Sequence, residues 1–199
     1  LMDYCGAITN YREVFHAVEK LRRRESPCIV AIDGMCGSGK SFLADLLAKT
    51  FDCNVFHMDD YFLPPDMKTE ERLAKPGENV HYERFKKEVL EAVVRKKTVV
   101  CRPYLCSLQK YGGERRAEPK ELTIIEGVYC LHPELRDYYT RKVFLSVDDK
   151  VQLKRILYRN GEEKREQFIN QWIPLENLYF ERLGIKDLCD IVVDTTHFD

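Results

Sequence analysis

Residues 28–41 read Cys28-Ile29-Val30-Ala31-Ile32-Asp33, then Gly34-Met35-Cys36-Gly37-Ser38-Gly39-Lys40-Ser41. The second half fits the spacing G-x-x-x-x-G-K-[S/T] at every fixed position. In this pattern the glycines let backbone N–H groups surround phosphate oxygens, and the following helix directs its positive end at them. Lys40 adds a charge near the β and γ phosphates, and Ser41 supplies a hydroxyl to Mg²⁺. The spacing therefore predicts that residues 34–41 form a phosphate-binding loop for a nucleotide.

An accidental glycine-serine turn is the alternative interpretation of this loop. The surroundings of residues 34–41 favour the interpretation as a phosphate-binding loop. The loop follows a β-rich apolar run and opens the segment Ser41-Phe42-Leu43-Ala44-Asp45-Leu46-Leu47-Ala48-Lys49, which contains strong helix formers and apolar residues at helical spacing. Strand, loop and helix in this order are the context that the motif requires.

The composition indicates one globular domain. The chain has 199 residues, 44% of them hydrophobic and 33% charged, which is enough for a single substantial core. A net charge of −1 provides no broad basic field, so we do not expect a nucleic-acid partner. No apolar run approaches the 18 residues of a membrane span, and no membrane association is expected.

The cysteines do not form a disulfide or metal pattern. All eight are scattered, none forms a C-x-x-C pair, and several lie in apolar runs where a free thiol behaves as a small hydrophobe. The N-terminus has no cationic segment followed by an apolar signal core, so we expect a cytoplasmic protein. Cys36, inside the loop, is the thiol to test for reactivity, because a helix N-terminus lowers the pKa of a thiol.

Alternating strands and helices predict a parallel sheet covered by helices. The predicted strands are Cys28–Asp33, Val55–Met58, Leu122–Ile125, Lys142–Val147 and Asp190–Asp194, and the clearest further helices are Tyr11 to Arg24 and Tyr82 to Lys96. Within a single domain spanning residues 1–199, we expect an N-terminal helical extension (1–26), a β excursion (about 98–117) and a lid (about 155–172). The polar segment from Asp66 to Lys75, bracketed by prolines, is predicted to be a mobile loop and a candidate substrate lid.

Two segments place carboxylates at the carboxyl edge of the predicted sheet, where ligands of open α/β folds bind. Asp59 and Asp60 follow the second strand. Either could accept a proton from a substrate hydroxyl that attacks a γ-phosphate, or bind Mg²⁺; the alternative is that one of them caps a turn. Glu126 follows the third strand and is a second metal candidate, with ordinary turn chemistry as its alternative.

Cations and aromatic side chains give weaker signals. Arg155 and Arg159 lie one helical turn apart and could clamp a transferring phosphoryl group, although the same spacing also suits a solvated helix face. His81, Tyr82 and Tyr61 could wall a planar ring, but aromatic residues more often belong to a core.

Taken together, these motifs resemble the uridine kinase and phosphoribulokinase family over about residues 28–195. The resemblance rests on five features: the loop Gly34 to Ser41, the run Asp59-Asp60-Tyr61-Phe62, the spacing His81-x-x-x-Phe85, the run Glu126-Gly127-Val128-Tyr129, and the Arg155/Arg159 pair. It implies a three-layer P-loop fold with five parallel core strands, ATP and Mg²⁺ as cofactors, and transfer of the γ-phosphate to a primary hydroxyl of a small molecule.

The resemblance also assigns roles to individual residues. It implies that Asp59 is the catalytic base, that Lys40, Arg155 and Arg159 are catalytic cations, and that Ser41, Glu126 and Asp59 are metal ligands. It implies a substrate site formed by Asp60, Tyr61, His81, Tyr82, Phe85 and Tyr104. Two carboxylates typical of uridine kinases are replaced here by Val80 and Leu105.

The acceptor therefore stays open. A nucleoside such as uridine, phosphorylated at its 5′ hydroxyl, is the leading prediction, and nicotinamide riboside, pantothenate and a sugar are alternatives. A non-kinase switch protein that binds ATP is a hypothesis of another class. We expect a monomer or a homodimer.

Overall fold

The computed structural model describes residues 4–23 and 27–198. Residues 1–3 and 24–26 of the predicted N-terminal extension lie outside the described residues. They include Arg24, the predicted end of the helix that starts at Tyr11.

Five parallel strands form the central sheet, as the sequence predicts. They are β1 (Cys28–Gly34), β2 (Asn54–His57), β7 (Leu122–Glu126), β8 (Arg141–Ser146) and β9 (Ile191–Asp194). Their spatial order is β2-β7-β1-β8-β9. All residues of β1 and β7 are buried, because helices cover both faces of the sheet. Each predicted strand is confirmed, with bounds shifted by one residue at most.

Helices and short turns connect the strands. The α-helices are α1 (Tyr4–Asn10), α2 (Arg12–Leu21), α3 (Lys40–Thr50), α4 (Glu70–Leu73), α5 (Tyr82–Phe85), α6 (Glu91–Val94), α7 (Asp149–Asn160), α8 (Arg165–Gln167) and α9 (Ile173–Arg182). π-helical turns at Lys86–Leu90 and Phe168–Trp172 join α5 to α6 and α8 to α9. Short 3₁₀ turns occur at Met58–Tyr61, Pro65–Met67, Cys106–Leu108, Arg136–Tyr138, Glu162–Lys164 and Lys186–Leu188.

The hydrophobic core has two parts, one on each face of the sheet. Alternate residues of β1 belong to different parts: Ile29 and Ala31 to one, Val30 and Ile32 to the other. This alternation follows from the period of two along a strand. Helices α2 and α3 cover the second face, while the helical segment 82–94 and α9 cover the first.

The helix predicted from Tyr11 is confirmed as α2, and α1 is a further helix that precedes it. One predicted segment differs from the structure. The predicted loop Asp66–Lys75 contains α4. The Thr69 hydroxyl caps this helix by accepting the Arg72 N–H at 3.2 Å, and the Arg72 guanidinium binds Glu83 at 2.8 Å. Capping and this ion pair therefore order the segment, whereas its sequence predicts a mobile loop.

A small β excursion lies beyond the edge strand β2. It consists of two antiparallel pairs, β3 (Val99–Cys101) with β6 (Arg115–Ala117), and β4 (Tyr104–Leu105) with β5 (Lys110–Tyr111). Over the described ranges 4–23 and 27–198, none of the helices combines the length and the apolar character needed to cross a bilayer.

Candidate active site

The glycine-rich loop connects the central strand β1 to helix α3. Gly34 ends β1 with φ +137°, and a Cβ there would lie 2.1 Å from the Leu145 carbonyl oxygen, so a side chain cannot fit. Gly39 has φ +93° and precedes the first residue of α3. The loop therefore turns tightly in front of a helix N-terminus, where the helix dipole favours an anion.

Polar side chains of the loop are placed as a phosphate site requires. The Lys40 ammonium folds back over the loop and donates to the carbonyls of Gly34 (2.8 Å) and Met35 (2.9 Å). The Ser38 hydroxyl is fully buried without a hydrogen-bond partner among the described residues. Leaving a buried hydroxyl unpaired is unfavourable, so Ser38 is suited to donate to a ligand anion.

The predicted acids meet at the carboxyl edge of the sheet. β2 and β7 are neighbours with His57 paired to Glu126, so both strands end at the same level. The buried Glu126 carboxylate contacts His57 Nδ1 at 2.5 Å and accepts a hydrogen bond from the Ser41 hydroxyl at 3.1 Å. The bond to Glu126 raises the pKa of His57 despite partial burial.

Asp59 and Asp60 lie in different surroundings although they are adjacent in the 3₁₀ turn. Asp59 is exposed at its surface side, yet burial of its other side by the surrounding protein raises its pKa. The nearby Lys40 charge opposes this increase. Asp60 instead pairs with Arg115 of the β excursion at 2.9 Å. The two carboxylates are therefore distinct, with Asp59 facing the charges of the phosphate loop.

Oxygen donors suited to Mg²⁺ are adjacent in this cluster. Mg²⁺ in nucleotide sites takes one or two protein ligands, and phosphate oxygens and water complete its shell. The contact between Ser41 and Glu126 brings two of the predicted ligands together, and the Glu126 charge also acts on Asp59. These residues fit the predicted ion.

Arg155 and Arg159 have different partners in the structure. The Arg155 guanidinium donates to the carbonyls of Thr195 and Phe198, both at 2.8 Å, and to Gly37 at 3.4 Å. Arg155 thus holds the C-terminal segment against the phosphate loop, which corrects the expectation that it clamps the reacting group. Arg159 is exposed at the mouth of the loop, 3.5 Å from Cys36 Sγ, and its charge lowers the pKa of Asp59. The role of Arg159 as a phosphoryl clamp stays a prediction.

Most of the aromatic side chains predicted to bind substrate are structural. Tyr61 and Phe85 are buried in the core with their rings 5.0 Å apart, edge to face, and the Tyr61 hydroxyl donates to Glu88 at 3.0 Å. The assignment of Phe85 to substrate is corrected, because its side chain lies in the core. Tyr61 also lines the cavity described below, so its assignment stays a prediction.

The remaining predicted substrate residues border the same region. His81 caps α5 by accepting the Arg84 N–H at 3.4 Å, and Tyr82 stacks on His132 with ring centroids 3.9 Å apart. These contacts give His81 and Tyr82 structural partners. Tyr104 is also buried, but its hydroxyl has no partner within the described part of the chain. Tyr104 is the member of this set that retains an unused polar group.

A cavity of about 190 Å³ separates the edge strand β2 from the β excursion. It is lined by Val55, Phe56, His57, Asp60, Tyr61, Cys101, Pro103, Arg115, Arg116 and Ala117. Its lining combines apolar surface with the Asp60–Arg115 ion pair, and it begins beside the turn that carries Asp59.

Two acids at the loop were missed from the sequence. Asp33 is fully buried and accepts hydrogen bonds from Gly34 N (2.7 Å), Leu131 N (3.1 Å) and the Tyr179 hydroxyl (2.8 Å). The sequence did carry a signal for Asp33, because an acid within an apolar strand and immediately before the loop is unusual. Glu176 of α9 gave no signal, because an acid in a helix resembles a surface residue.

Glu176 also explains the corrected behaviour of Cys36. Its carboxylate accepts the Cys36 backbone N–H at 2.9 Å. Burial, followed by the charge of Glu176, raises the pKa of the Cys36 thiol, with smaller opposing effects of Lys40 and Arg159. The expectation of a reactive, low-pKa thiol at Cys36 is therefore wrong. Burial raises the pKa of Glu176 itself to about 7.

Comparison with known proteins finds a family model that matches the chain and relatives that are named kinases. A family model described as an AAA domain matches residues 30–183. The chain is 29% identical to a uridine kinase from Ligilactobacillus salivarius, with 86% of each chain covered. It is 26% identical to a uridine kinase from Clostridium perfringens, with 84% of this chain and 86% of the relative covered.

Two solved structures share the fold. One is described as a possible uridine kinase from Bacillus stearothermophilus; its TM-score is 0.67 at 21% identity, covering 86% of this chain and 91% of that one. The other is a putative fructose transport system kinase from Silicibacter sp. TM1040, with a TM-score of 0.65 at 18% identity, covering 96% and 99%.

Proposed function

The chain belongs to the AAA domain family of P-loop proteins, and we propose that it transfers the γ-phosphate of ATP to a hydroxyl of a small molecule. The observation that carries this proposal is the contact between the phosphate loop and the acids at the carboxyl edge of the sheet, where the Ser41 hydroxyl donates to Glu126 at 3.1 Å. The charges of Lys40, Glu126 and Arg159 also act on the pKa of Asp59 in the turn that follows β2. Curated relatives named uridine kinase support a nucleoside such as uridine as the leading acceptor.

Residues 34–41 would bind the phosphates of ATP. Backbone N–H groups and the N-terminus of α3 supply partial positive charge, and Lys40 would exchange its loop carbonyls for phosphate oxygens. Ser41 and Glu126 would hold Mg²⁺, which neutralises phosphate charge when bound. Arg159 would meet the charge that develops on the transferred group.

Asp59 would act as the general base. The acceptor oxygen forms a bond to the γ-phosphorus, the bond from that phosphorus to the bridging oxygen of ADP breaks, and the hydroxyl proton passes to Asp59. A raised pKa favours this role, since a more basic carboxylate takes up a proton more readily.

The acceptor has space beside Asp59. The cavity between β2 and the β excursion begins at the same turn, and its mixed apolar and charged lining suits a ring that carries polar groups. Nicotinamide riboside, pantothenate and a sugar remain alternative acceptors, and a monomer or homodimer remains our prediction.

A panel of nucleosides, vitamins and sugars incubated with Mg·ATP tests this proposal, with phosphorylated products read by mass spectrometry. We expect one acceptor to accelerate ATP consumption by orders of magnitude. In the same assay, Asp59→Asn should lower kcat roughly 10²- to 10⁴-fold with little change in the KM for ATP. Asp60→Asn is the matched control, because it removes the neighbouring carboxylate and should affect kcat far less. Unchanged turnover by the Asp59 variant would refute the assignment of the base, whereas an absence of any product would favour an ATP-binding switch.

A further inference from the structure

Tyr11 of the N-terminal extension reaches the phosphate loop. This residue lies between α1 and α2 and is 3% exposed. A Cβ built on Gly39 would lie 3.3 Å from the Tyr11 hydroxyl oxygen, so the hydroxyl sits against the loop glycine that precedes Lys40, the first residue of α3. The extension lies before residue 28, where the motifs of the loop begin. Those motifs therefore do not include this contact.

The Tyr11 hydroxyl has no hydrogen-bond partner within residues 4–23 and 27–198. Its ring is nevertheless fixed, because it packs edge to face on Phe198 with centroids 5.2 Å apart and lies 6.5 Å from the ring of Phe42. Burial raises the pKa of Tyr11 to about 12, so its hydroxyl stays a neutral donor at physiological pH. A donor that is held in place without an acceptor is suited to a ligand oxygen, as is the buried hydroxyl of Ser38.

The sheet indicates which part of a bound nucleotide would pass Tyr11. In phosphoryl transfer, the attacking hydroxyl and the leaving ADP lie on opposite sides of the γ-phosphorus. Asp59 follows β2 at one edge of the sheet, so ADP extends away from that edge. Phe198, which contacts Tyr11, follows β9 at the opposite edge. The segment before Phe198 meets the loop, where the Thr195 hydroxyl donates to the Ser38 carbonyl at 2.9 Å. Tyr11 thus borders the side of the loop that receives the α- and β-phosphates.

We propose that the Tyr11 hydroxyl donates a hydrogen bond to an α- or β-phosphate oxygen of the bound nucleotide, so that the N-terminal extension supplies part of the nucleotide site. Packing prepares this donor in advance, since Val14, Val18 and Leu21 of α2 are buried in the core and fix the helix. The inference rests on the proposed function for its nucleotide, ATP, and is independent of the acceptor.

Calorimetric titration of the full chain with Mg·ADP tests the inference. Tyr11→Phe keeps the ring that packs on Phe198 and removes the hydroxyl. We expect the Kd for Mg·ADP to rise roughly ten- to a hundredfold, the factor associated with a hydrogen bond to a charged group. The same factor is expected for the magnesium complex of 2′,3′-dideoxy-ADP, which lacks both ribose hydroxyls. Because the Tyr11 hydroxyl has no protein partner, the Tm measured without nucleotide should not fall.

Tyr139→Phe is the matched control. Its hydroxyl is also buried, but it donates to the Cys130 carbonyl at 2.7 Å. Removing it should lower the Tm without nucleotide and leave the Kd for Mg·ADP unchanged. The two substitutions therefore have opposite expected effects on stability and on nucleotide binding.

The other outcomes of these titrations contradict the inference. An unchanged or lower Kd for Mg·ADP in the Tyr11 variant would overturn it, and a loss of Tm equal to that of the Tyr139 variant would assign the hydroxyl to the fold. An effect that disappears with the dideoxy nucleotide would move the contact from phosphate to ribose. Failure of the proposed function is a separate result, since a protein that phosphorylates no acceptor can still bind Mg·ADP.

Discussion

Removing the Tyr179 hydroxyl should destabilise the fold measurably. In the structure this hydroxyl donates to the Asp33 carboxylate at 2.8 Å, and both residues are fully buried. The Tyr179→Phe substitution leaves the ring in place and deletes a single donor. Asp33 then keeps only the N–H groups of Gly34 and Leu131 among its described partners.

The size of the effect follows from the burial of this bond. A hydrogen bond to a charged group contributes roughly 1.5–3 kcal/mol, and water cannot replace the lost donor at a site without solvent access. We therefore expect the free energy of unfolding to fall by about 2 kcal/mol. For a domain of this size that corresponds to a decrease in Tm of about 4–8 °C.

Urea denaturation followed by circular dichroism, together with thermal melts, measures this change. Tyr158→Phe is the matched control, because Tyr158 is 95% exposed and its hydroxyl should contribute nothing measurable. The denaturant m-value should stay the same, which shows that the folded state keeps its compactness. A loss below about 0.5 kcal/mol for the Tyr179 variant, similar to the control, would refute the reasoning that this bond stabilises the buried acid.

Three further predictions concern the active site. Bonding to the Glu126 carboxylate raises the pKa of His57. Protonated His57 therefore stabilises the fold fully below the ordinary histidine pKa of about 6.5, and this stabilisation is lost as pH rises through the raised pKa. In urea titrations, His57→Gln should lower the free energy of unfolding more near pH 6 than near pH 8.5. Burial raises the pKa of both Cys36 and Cys106, so their accessibility decides between them; the partly buried Cys36 should react with iodoacetamide more slowly than the exposed Cys106 at neutral pH, and peptide mass spectrometry that finds Cys36 labelled first would contradict this. Arg155→Lys cannot reproduce the fork of bonds to the C-terminal segment, so it should lower Tm and raise the KM for ATP several-fold, while the same change at Arg159 should lower mainly kcat.

The sheet could be predicted because each core strand is a short apolar run bounded by turn residues. Burial on both faces keeps the apolar runs of β1 and β7 continuous, and the predicted limits of these strands differ from the structure by one residue. The π-helical turn within 82–94 could not be predicted in this way, since helical periodicity does not distinguish a local insertion. α4 was missed because proline-rich flanks indicate a loop, whereas the Arg72–Glu83 ion pair joins residues 11 positions apart that lie in different predicted segments.

The parts of the candidate site that directly follow a core strand in sequence could also be predicted. The loop of residues 34–41 and the turn that carries Asp59 follow strands directly, so strand topology alone brings them to one edge of the sheet. The aromatic side chains could not be assigned, because core and ligand site select the same residue types. Tyr61 shows this, since its side chain is only 2% exposed within the core and yet lines the cavity beside Asp60.

Helix α9 shows why spacing alone does not describe a phosphate loop. Glu176 and Tyr179 are three residues apart, so they share one face of that helix, and each binds the segment around the loop, at Cys36 and Asp33 respectively. The backbone N–H of Cys36 is thus satisfied from 140 residues away along the chain. A P-loop motif predicts that phosphate binds, because its glycines and lysine are local. The groups of α9 that hold this segment lie outside the motif, so the spacing of residues 34–41 could not predict them.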